Sequence, residues 1–442
     1  MSHFPRHSEY KNSGNKWIGD IPSHWHINRY KNLMRERGEL SKTGDETLMS
    51  VSAYTGVTTR AAILEEGEIH TRADSLVGYK ICAPDDLVVN IMLAWNRGLG
   101  FSKQHGIVSP AYCVFKKTGS FDSRFLNYLV RDDTSTRYYK SFSTGLMDSR
   151  LRLYPETFLA LQCALPAIDE QKQIADFLDR ETTRIDSLIE KKIRFIELLK
   201  EKRQAVITKA VTTGIDREVK LKPSGEAWIG KIPVHWEVKP LRSFFNFRNE
   251  KNDPVRTENI LSLSIAHGVT PYSEEGRGGN KSKDDLTAYK IAHKGDIVLN
   301  SMNVIVGAVG RSNYYGAISP VYYAIYPINE KVYVPYFEKV FMNVCFQKGL
   351  LRIGKGILIK ISGTFQMNTI RMKISQDDLK NVPFPVPPLE EQIKIAEHIE
   401  CEVSRIDDLS SKTVRSIELL KEKRAALITA VVTGKINIRT AT

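Results

Sequence analysis

Apolar positions recur at helical spacing over two long stretches of this 442-residue chain and in short runs almost everywhere else. The first long stretch opens with Leu165-Pro166-Ala167-Ile168-Asp169-Glu170-Gln171 and runs to Gly214. The second opens with Val386-Pro387-Pro388-Leu389-Glu390-Glu391-Gln392 and runs to Gly434. Proline fits a first helical turn, acidic residues suit the positive helix end, and glycine adopts the left-handed conformation that stops a helix. Each stretch is therefore predicted to be a single helix of about 45 residues, roughly 65 Å long. In a heptad frame Thr182, Ile189, Ile196, Arg203 and Ala210 share one seam position of the first helix, and Leu178, Ile185, Lys192, Leu199 and Val206 share the other. The second helix places Val403, Ser410, Ile417, Arg424 and Val431 beside Ile406, Thr413, Leu420 and Leu427. Seam polar groups such as Arg203 and Arg424 fix register or snorkel to water. The two helices are expected to pack on each other, antiparallel.

The shorter runs fall in two mixed regions, about residues 26–164 and 237–385. Asp86-Leu87-Val88-Val89-Asn90 and Pro110-Ala111-Tyr112-Cys113-Val114-Phe115 read as strands between Gly, Pro and Asp punctuation. Phe121 to Tyr139 reads as one helix with Phe121, Phe125, Tyr128 and Leu129 on a face.

These patterns occur twice. Ile196-Glu197-Leu198-Leu199-Lys200-Glu201-Lys202-Arg203 returns unchanged as Ile417 to Arg424, Arg184-Ile185-Asp186 returns as Arg405-Ile406-Asp407, and Glu170-Gln171 as Glu391-Gln392. Trp17-Ile18-Gly19-Asp20-Ile21-Pro22-Ser23-His24-Trp25 is echoed by Trp228-Ile229-Gly230-Lys231-Ile232-Pro233-Val234-His235-Trp236. Asp296 to Asn300 matches Asp86 to Asn90, and Ser319-Pro320-Val321-Tyr322 matches Ser109 to Tyr112. Between these landmarks the halves diverge, and the second region gains residues, with Gly349 to Ser362 as the candidate insertion. A period this long is a two-fold architecture rather than a solenoid. A shared scaffold with different loops changes binding specificity without disturbing a core.

Composition narrows the class. Hydrophobic content of 42% and aromatic content of 9% argue against disorder. No apolar run reaches the ~18 residues of a membrane span, and the polar N-terminus does not read as a signal peptide. The net charge of +13 favours a polyanionic partner. Cys82, Cys113, Cys163, Cys345 and Cys401 are scattered with no CxxC, which argues against zinc and fits reduced thiols in a cytoplasm. No metal is expected.

Catalytic signatures are missing. Gly276-Arg277-Gly278-Gly279-Asn280-Lys281-Ser282 lacks the Gly-Lys-Ser/Thr of a phosphate loop, Gly307-Ala308-Val309-Gly310 is not a dinucleotide fingerprint, and neither HExxH nor GxSxG occurs. Paired acids such as Asp85-Asp86 and Asp377-Asp378 read as caps before metal ligands.

The two Trp-Ile-Gly-x-Ile-Pro-x-His-Trp segments, the Pro-x-x-(Asp/Glu)-Glu-Gln helix openings, Arg-Ile-Asp, Ile-Glu-Leu-Leu-Lys-Glu-Lys-Arg and the terminal Thr-Gly occur in order, twice, from about Trp17 to Gly434. This constellation resembles the specificity (S) subunit of type I restriction-modification systems, the HsdS family. The expected fold class is α+β: two mixed α/β target-recognition domains joined by two long antiparallel coiled-coil helices, with a pseudo-two-fold internal repeat. The expected layout is a first target-recognition domain over 1–165, a central helix over 166–214, a linker and second target-recognition domain over 215–385, and a C-terminal helix over 386–442. The resemblance implies that each domain reads one half of an asymmetric, bipartite site in double-stranded DNA. It further implies that the helices act as spacer and as docking surface for two methylation (M) subunits, which use S-adenosylmethionine, and that restriction (R) subunits supply ATP-dependent chemistry. The chain itself is then a cytoplasmic subunit without catalysis or cofactor, away from any membrane. A coiled-coil adaptor without sequence-specific DNA binding is the alternative.

Direct readout calls for Arg, Lys, Asn and aromatic side chains on loops and strand ends. The candidates in the first region are Arg60, Asn90, Trp95, Asn96, Arg97, Arg150 and Arg152; those in the second are Arg277, Lys281, Asn300, Asn303, Arg311, Lys355, Lys360 and Arg371. Asn90 and Asn300 equally read as turn caps, Trp95 as a core anchor, and Arg150 and Arg371 as phosphate contacts or surface ion pairs. Spacer and docking candidates are Ile185, Ile189, Ile196, Leu199, Arg203, Ile406, Ile417, Leu420 and Arg424.

Overall fold

A computed structural model describes residues 5–60, 75–147, 150–273, 285–358 and 370–439. Helix and strand are mixed along the chain, and two helices are far longer than the rest, Ile168–Thr213 and Leu389–Val432. Both stop where the glycines predict: Gly214 and Gly434 adopt φ of +77° and +70°. The chain divides into two compact units, Met1–Lys192 with Val414–Thr442, and Ile193–Thr413. Each unit takes part of both long helices.

The first unit is built on a four-stranded antiparallel sheet in the order Met34–Glu36, Tyr112–Lys117, Leu87–Asn90, Leu99–Phe101. Successive strand residues point to opposite faces. Leu87, Val89 and Phe115 enter the main core, while Val88 and Val114 enter a smaller cluster with Met49, Val51, Val57, Cys82 and Val108. Both faces are covered, so Leu87-Val88-Val89 reads as a continuous apolar run instead of alternating. The main core adds Trp25, fully buried, and Tyr30, which stacks on Phe158 with ring centroids 4.5 Å apart. Ile174, Ala175, Phe177 and Leu178 of the first long helix and Leu427, Val431 and Val432 of the second complete it.

The expected helix from Phe121 to Tyr139 is two helices, Ser123–Arg131 and Asp133–Phe142. Asp132 turns to extended backbone between them, and its carboxylate accepts the N–H groups of Thr134 and Ser135 as the cap of the second helix. Apolar periodicity continues through the break, which hides it.

The second unit has a sheet in the order Phe245–Arg248, Tyr322–Pro327, Ile297–Asn300, Val309–Arg311. Ile297, Leu299 and Ile325 face the main core with Trp236, fully buried; Val298 and Ala324 face Leu261, Leu263, Val269 and Ile318. Ile207, Ala210 and Val211 of the first long helix and Ile395, Ala396 and Ile399 of the second join that core. This unit also has a strand pair, Lys355–Leu358 with Ile370–Lys373, in the region of the expected insertion; residues 359–362 lie outside the described residues. Among the described residues of the corresponding segment in the first unit there is a single bridge, Thr144 with Arg152.

Candidate nucleic-acid interface

Each recurring motif has a mechanical role, and the role is the same in both units. The Glu170 carboxylate accepts the buried Trp25 indole N–H at 3.3 Å and lies 2.9 Å from His24 Nε2; Glu391 accepts the Trp236 indole N–H at 2.9 Å and lies 2.6 Å from His235 Nε2. The Gln171 side chain donates to the Pro166 carbonyl and accepts the Asp122 N–H, both at 2.9 Å. Gln392 donates to Pro387 and accepts the Tyr333 N–H, again at 2.9 Å. The Glu-Gln pair thus fastens the start of each long helix to the Trp-containing segment and to the helix that covers the sheet. Arg37 grips Asp86 through two bonds of 2.7 and 3.2 Å, and Arg248 grips Asp296 at 2.7 and 3.0 Å. In the first unit Asp186 pairs with Arg424, and in the second Arg203 pairs with Asp407.

On this frame one end of each sheet carries the variable loops. Asn90 ends its strand opposite Tyr112, and Asn300 ends its strand opposite Tyr322. Both asparagines cap the turn that follows, accepting the Met92 N–H at 3.1 Å and the Met302 N–H at 3.0 Å. Asn90 is buried, so its side chain serves the turn. Beyond it, Trp95 donates its indole N–H to the Met92 carbonyl at 2.9 Å under the ammonium of Lys140, 5.0 Å from the ring centre. Asn96 is exposed, and Arg97 sits in the left-handed region at φ 59° with its guanidinium paired to Asp133. Leu153 N–H bonds the Ile91 carbonyl, which brings the segment carrying exposed Arg150 and Arg152 beside this loop. Arg60 leaves the strand Gly56–Thr59 with its charge acting on Tyr112, whose hydroxyl is pushed up by burial.

In the second unit, Ile374 N–H bonds the Ser301 carbonyl in the same fashion and brings the strand pair with Lys355 and Arg371 beside the loop of exposed Asn303. Lys355 is exposed, its ammonium 3.9 Å from the Asp378 carboxylate. Arg311 is exposed, and its N–H bonds Glu338. Arg277, Lys281 and Lys360 lie outside the described residues.

The long-helix candidates divide by burial. Ile185, Leu199, Ile406 and Ile417 are buried; Ile189, Ile196, Leu420, Arg203 and Arg424 are half-buried. Side chains outside the heptad seam, among them Leu188, Phe195, Leu198, Leu409 and Leu419, are exposed.

A feature absent from the sequence reading is a cleft in each unit, about 1160 Å³ in the first and 550 Å³ in the second. In the first unit the turn Ala53–Thr55, Arg97, Arg131, Lys103 and the long-helix residues Asp186 and Arg424 line it. Arg131 is the unusual member: burial, and then the neighbouring Arg97 and Arg424 guanidiniums, lower its pKa to about 10. Among the described residues one group of metal-type donors comes together, His7, His24 and Glu170, with ligand atoms within 4.8 Å of one another. Its carboxylate is shared by His24, Trp25 and Arg439, so its charge and lone pairs are satisfied by protein groups.

Residues 233–418 match the family model described as the type I restriction modification DNA specificity domain. The chain is 23% identical, over 96% of each protein, to the putative type I restriction enzyme MjaX specificity subunit of Methanocaldococcus jannaschii. It is 25% identical to the MjaVIII specificity subunit of the same organism, over 80% of this chain and 81% of that one. Its fold matches the solved HsdS subunit from Thermoanaerobacter tengcongensis with a TM-score of 0.55 at 15% identity, over 94% of this chain and 98% of that one. A chain from a structure describing complex assembly and conformational transition of the type I R-M system matches with a TM-score of 0.64 at 13% identity, over 93% and 98%.

Proposed function

Because residues 233–418 match the type I restriction modification DNA specificity domain and the chain is similar over most of its length to type I specificity subunits, we propose that it is such a subunit and that its two units are separate target readers, each recognising one half of an asymmetric bipartite site in double-stranded DNA. The chain is a specificity subunit and not an enzyme. One observation carries the reading: the bonds that build the frame recur at equivalent positions in both units, while the loops at the sheet end differ in sequence and length. A common frame gives both readers the same mount; different loops give them different targets. The net charge of +13 supplies the sequence-independent phosphate attraction on which base readout is superimposed.

The two long helices, each shared between the units, act in this proposal as an antiparallel coiled-coil spacer. Their exposed apolar side chains, with Leu188 and Leu198 on one helix matched by Leu409 and Leu419 on the other, suit two copies of a methylation subunit. Methyl transfer from S-adenosylmethionine and ATP-driven restriction belong to the M and R subunits. Among the described residues no helix is long and apolar enough to cross a membrane.

The test is DNA binding by the chain assembled with its methylation subunits, titrated from 50 to 200 mM salt. The expected outcome is a bipartite preference on top of an affinity falling with salt at a slope of about −0.9 per phosphate neutralised. An assembled complex that ignores DNA sequence would establish the adaptor reading instead.

A further inference from the structure

The hairpin Met49–Ser52/Gly56–Thr59 presents Tyr54 at its tip with 95% of its surface in water. Single exposed apolar side chains are ordinary on protein surfaces, so exposure alone says little. The mount is what distinguishes this one. Arg131 donates from one terminal nitrogen to the carbonyls of Ser52 (3.4 Å), Arg97 (2.9 Å) and Leu99 (2.5 Å), and from the other to those of Ala53 (3.0 Å) and Tyr54 (3.2 Å). One guanidinium therefore fixes the hairpin turn against the loop of Trp95, Asn96 and Arg97. Arg131 ends a helix whose Phe125, Leu126, Leu129 and Val130 are buried in the core, so the clamp is anchored to the body of the unit. Gly56, at φ +75°, admits it closely: a Cβ there would meet the guanidinium at 3.2 Å. Turning five carbonyls inward leaves the Tyr54 ring facing solvent on a rigid backbone. Such pre-organisation lowers the ordering cost of a contact, and tyrosine has only two side-chain torsions left to fix.

We propose that Tyr54 contacts DNA bases as a specificity-determining residue of the first unit, and that Arg131 is its positioning residue. This rests on the reading of that unit as the reader of one half-site. The second unit supports it independently. Its hairpin Leu261–Ser264/Gly268–Pro271 puts exposed Ala266 where the first unit has Tyr54, with Ile265, 63% exposed, one position before it, and the position matching Arg131 is Met342, whose side chain donates no hydrogen bond. The ring at the tip and the guanidinium that mounts it are absent together. A phenol ring stacks on or wedges between bases, which the methyl group of an alanine does not do, so the two tips differ in what they prefer. Tyr54 stands at the mouth of the 1160 Å³ cleft with Lys103 and Lys421, cations of the kind that hold a phosphate backbone in place.

The experiment uses the full chain assembled with its methylation subunits, on DNA containing the site mapped for the unaltered complex. Variants are Tyr54→Ala, Tyr54→Phe, Arg131→Met and the Tyr54→Ala/Arg131→Met double. Tyr54→Ala is expected to weaken specific binding by about 5- to 150-fold, the range for one lost base–aromatic stack, and to relax the first half-site alone. Tyr54→Phe is expected to keep both affinity and preference. Arg131→Met is expected to give the same half-site defect with faster amide exchange at residues 52–56, and the double variant to be no worse than the stronger single. Because Tyr54 is solvent-exposed, its replacement leaves folding intact, and a melting temperature matching the unaltered complex verifies this. Unchanged affinity and site preference in Tyr54→Ala would overturn the proposal, as would equal relaxation of both half-sites. An unaltered complex with no bipartite preference would instead overturn the two-reader function beneath it.

Discussion

Removing the Glu170 carboxylate should destabilise the chain far more than removing its counterpart Glu391. The two glutamates do the same job: each accepts a hydrogen bond from the indole of a fully buried tryptophan and pairs with a histidine. Their exposure differs. The Glu170 side chain is 2% exposed and covered by Arg439, whereas that of Glu391 is 37% exposed. In Glu170→Ala water does not reach the Trp25 N–H, so a buried donor is orphaned at about 1–3 kcal/mol. The small void left behind adds about 1 kcal/mol. His24 and Arg439 are half-exposed and turn to solvent, so their lost pairing contributes about 0–1 kcal/mol. The sum is about 2–5 kcal/mol. At about 2–4 °C per kcal/mol for a unit of this size, the melting temperature falls by about 4–20 °C. In Glu391→Ala water replaces the carboxylate at the Trp236 N–H, and the loss is about 1 kcal/mol or less, at most about 4 °C. Differential scanning calorimetry of the full chain and both single variants measures this. A drop for Glu391→Ala as large as that for Glu170→Ala would refute the reasoning that burial, and not the bond itself, sets the difference.

Other outcomes follow from burial and charge. Of the five thiols, exposed Cys345 and Cys401 should react promptly with a disulfide reagent at pH 8. Cys82, Cys113 and Cys163 are buried, and burial raises the thiol pKa of the last two to about 11 and about 12, so these three should react only on unfolding; a third promptly reacting thiol would contradict the packing. Ile185→Ala removes a side chain 1% exposed and should cost about 2–5 kcal/mol by denaturant titration, whereas Leu198→Ala, 46% exposed, should stay within about 0.5 kcal/mol; equal losses would overturn the assignment of faces. The bond from Lys339 holds the Glu400 carboxyl below its usual pKa, so the pair adds stability at neutral pH that disappears as pH falls through that lowered value. The Glu400 side chain is 72% exposed, which screens the effect to a few tenths of a kcal/mol. Lys339→Met should show that deficit in urea titrations at pH 7 and none at pH 3, and an equal deficit at both would exclude the charge as its source.

Much of the frame was readable from residue patterns, and the reason lies in its chemistry. Pro-x-x-x-Glu-Gln and His-Trp mark positions whose side chains bond at fixed places, so their recurrence along the chain foretells a shared mount. Gly214 and Gly434 end their helices because only a left-handed residue closes them there. The heptad pattern placed Ile185 and Leu199 on a covered face but also Ile189 and Ile196, which are half-buried; burial depends on which neighbouring elements reach that level of the helix, and a periodicity does not encode it. The break at Asp132 was invisible because Phe125, Leu129 and Thr136 keep a common apolar period across it. Arg131 left no trace either, since all five of its acceptors are main-chain carbonyls, which carry no residue signature. Asn90 shows the reverse: a residue type suited to base edges, set by a turn whose N–H it caps.

The central claim is that two units read two half-sites independently. Its most direct test replaces residues 26–164 with the corresponding segment of another specificity subunit, keeping both long helices and the second mixed region. Methylated positions are then mapped in genomic DNA from cells carrying the hybrid and its partner subunits. The account predicts that one half-site changes to that of the donor while the other half-site stays as it was. Simultaneous change of both half-sites, or an unaltered bipartite site, would contradict it.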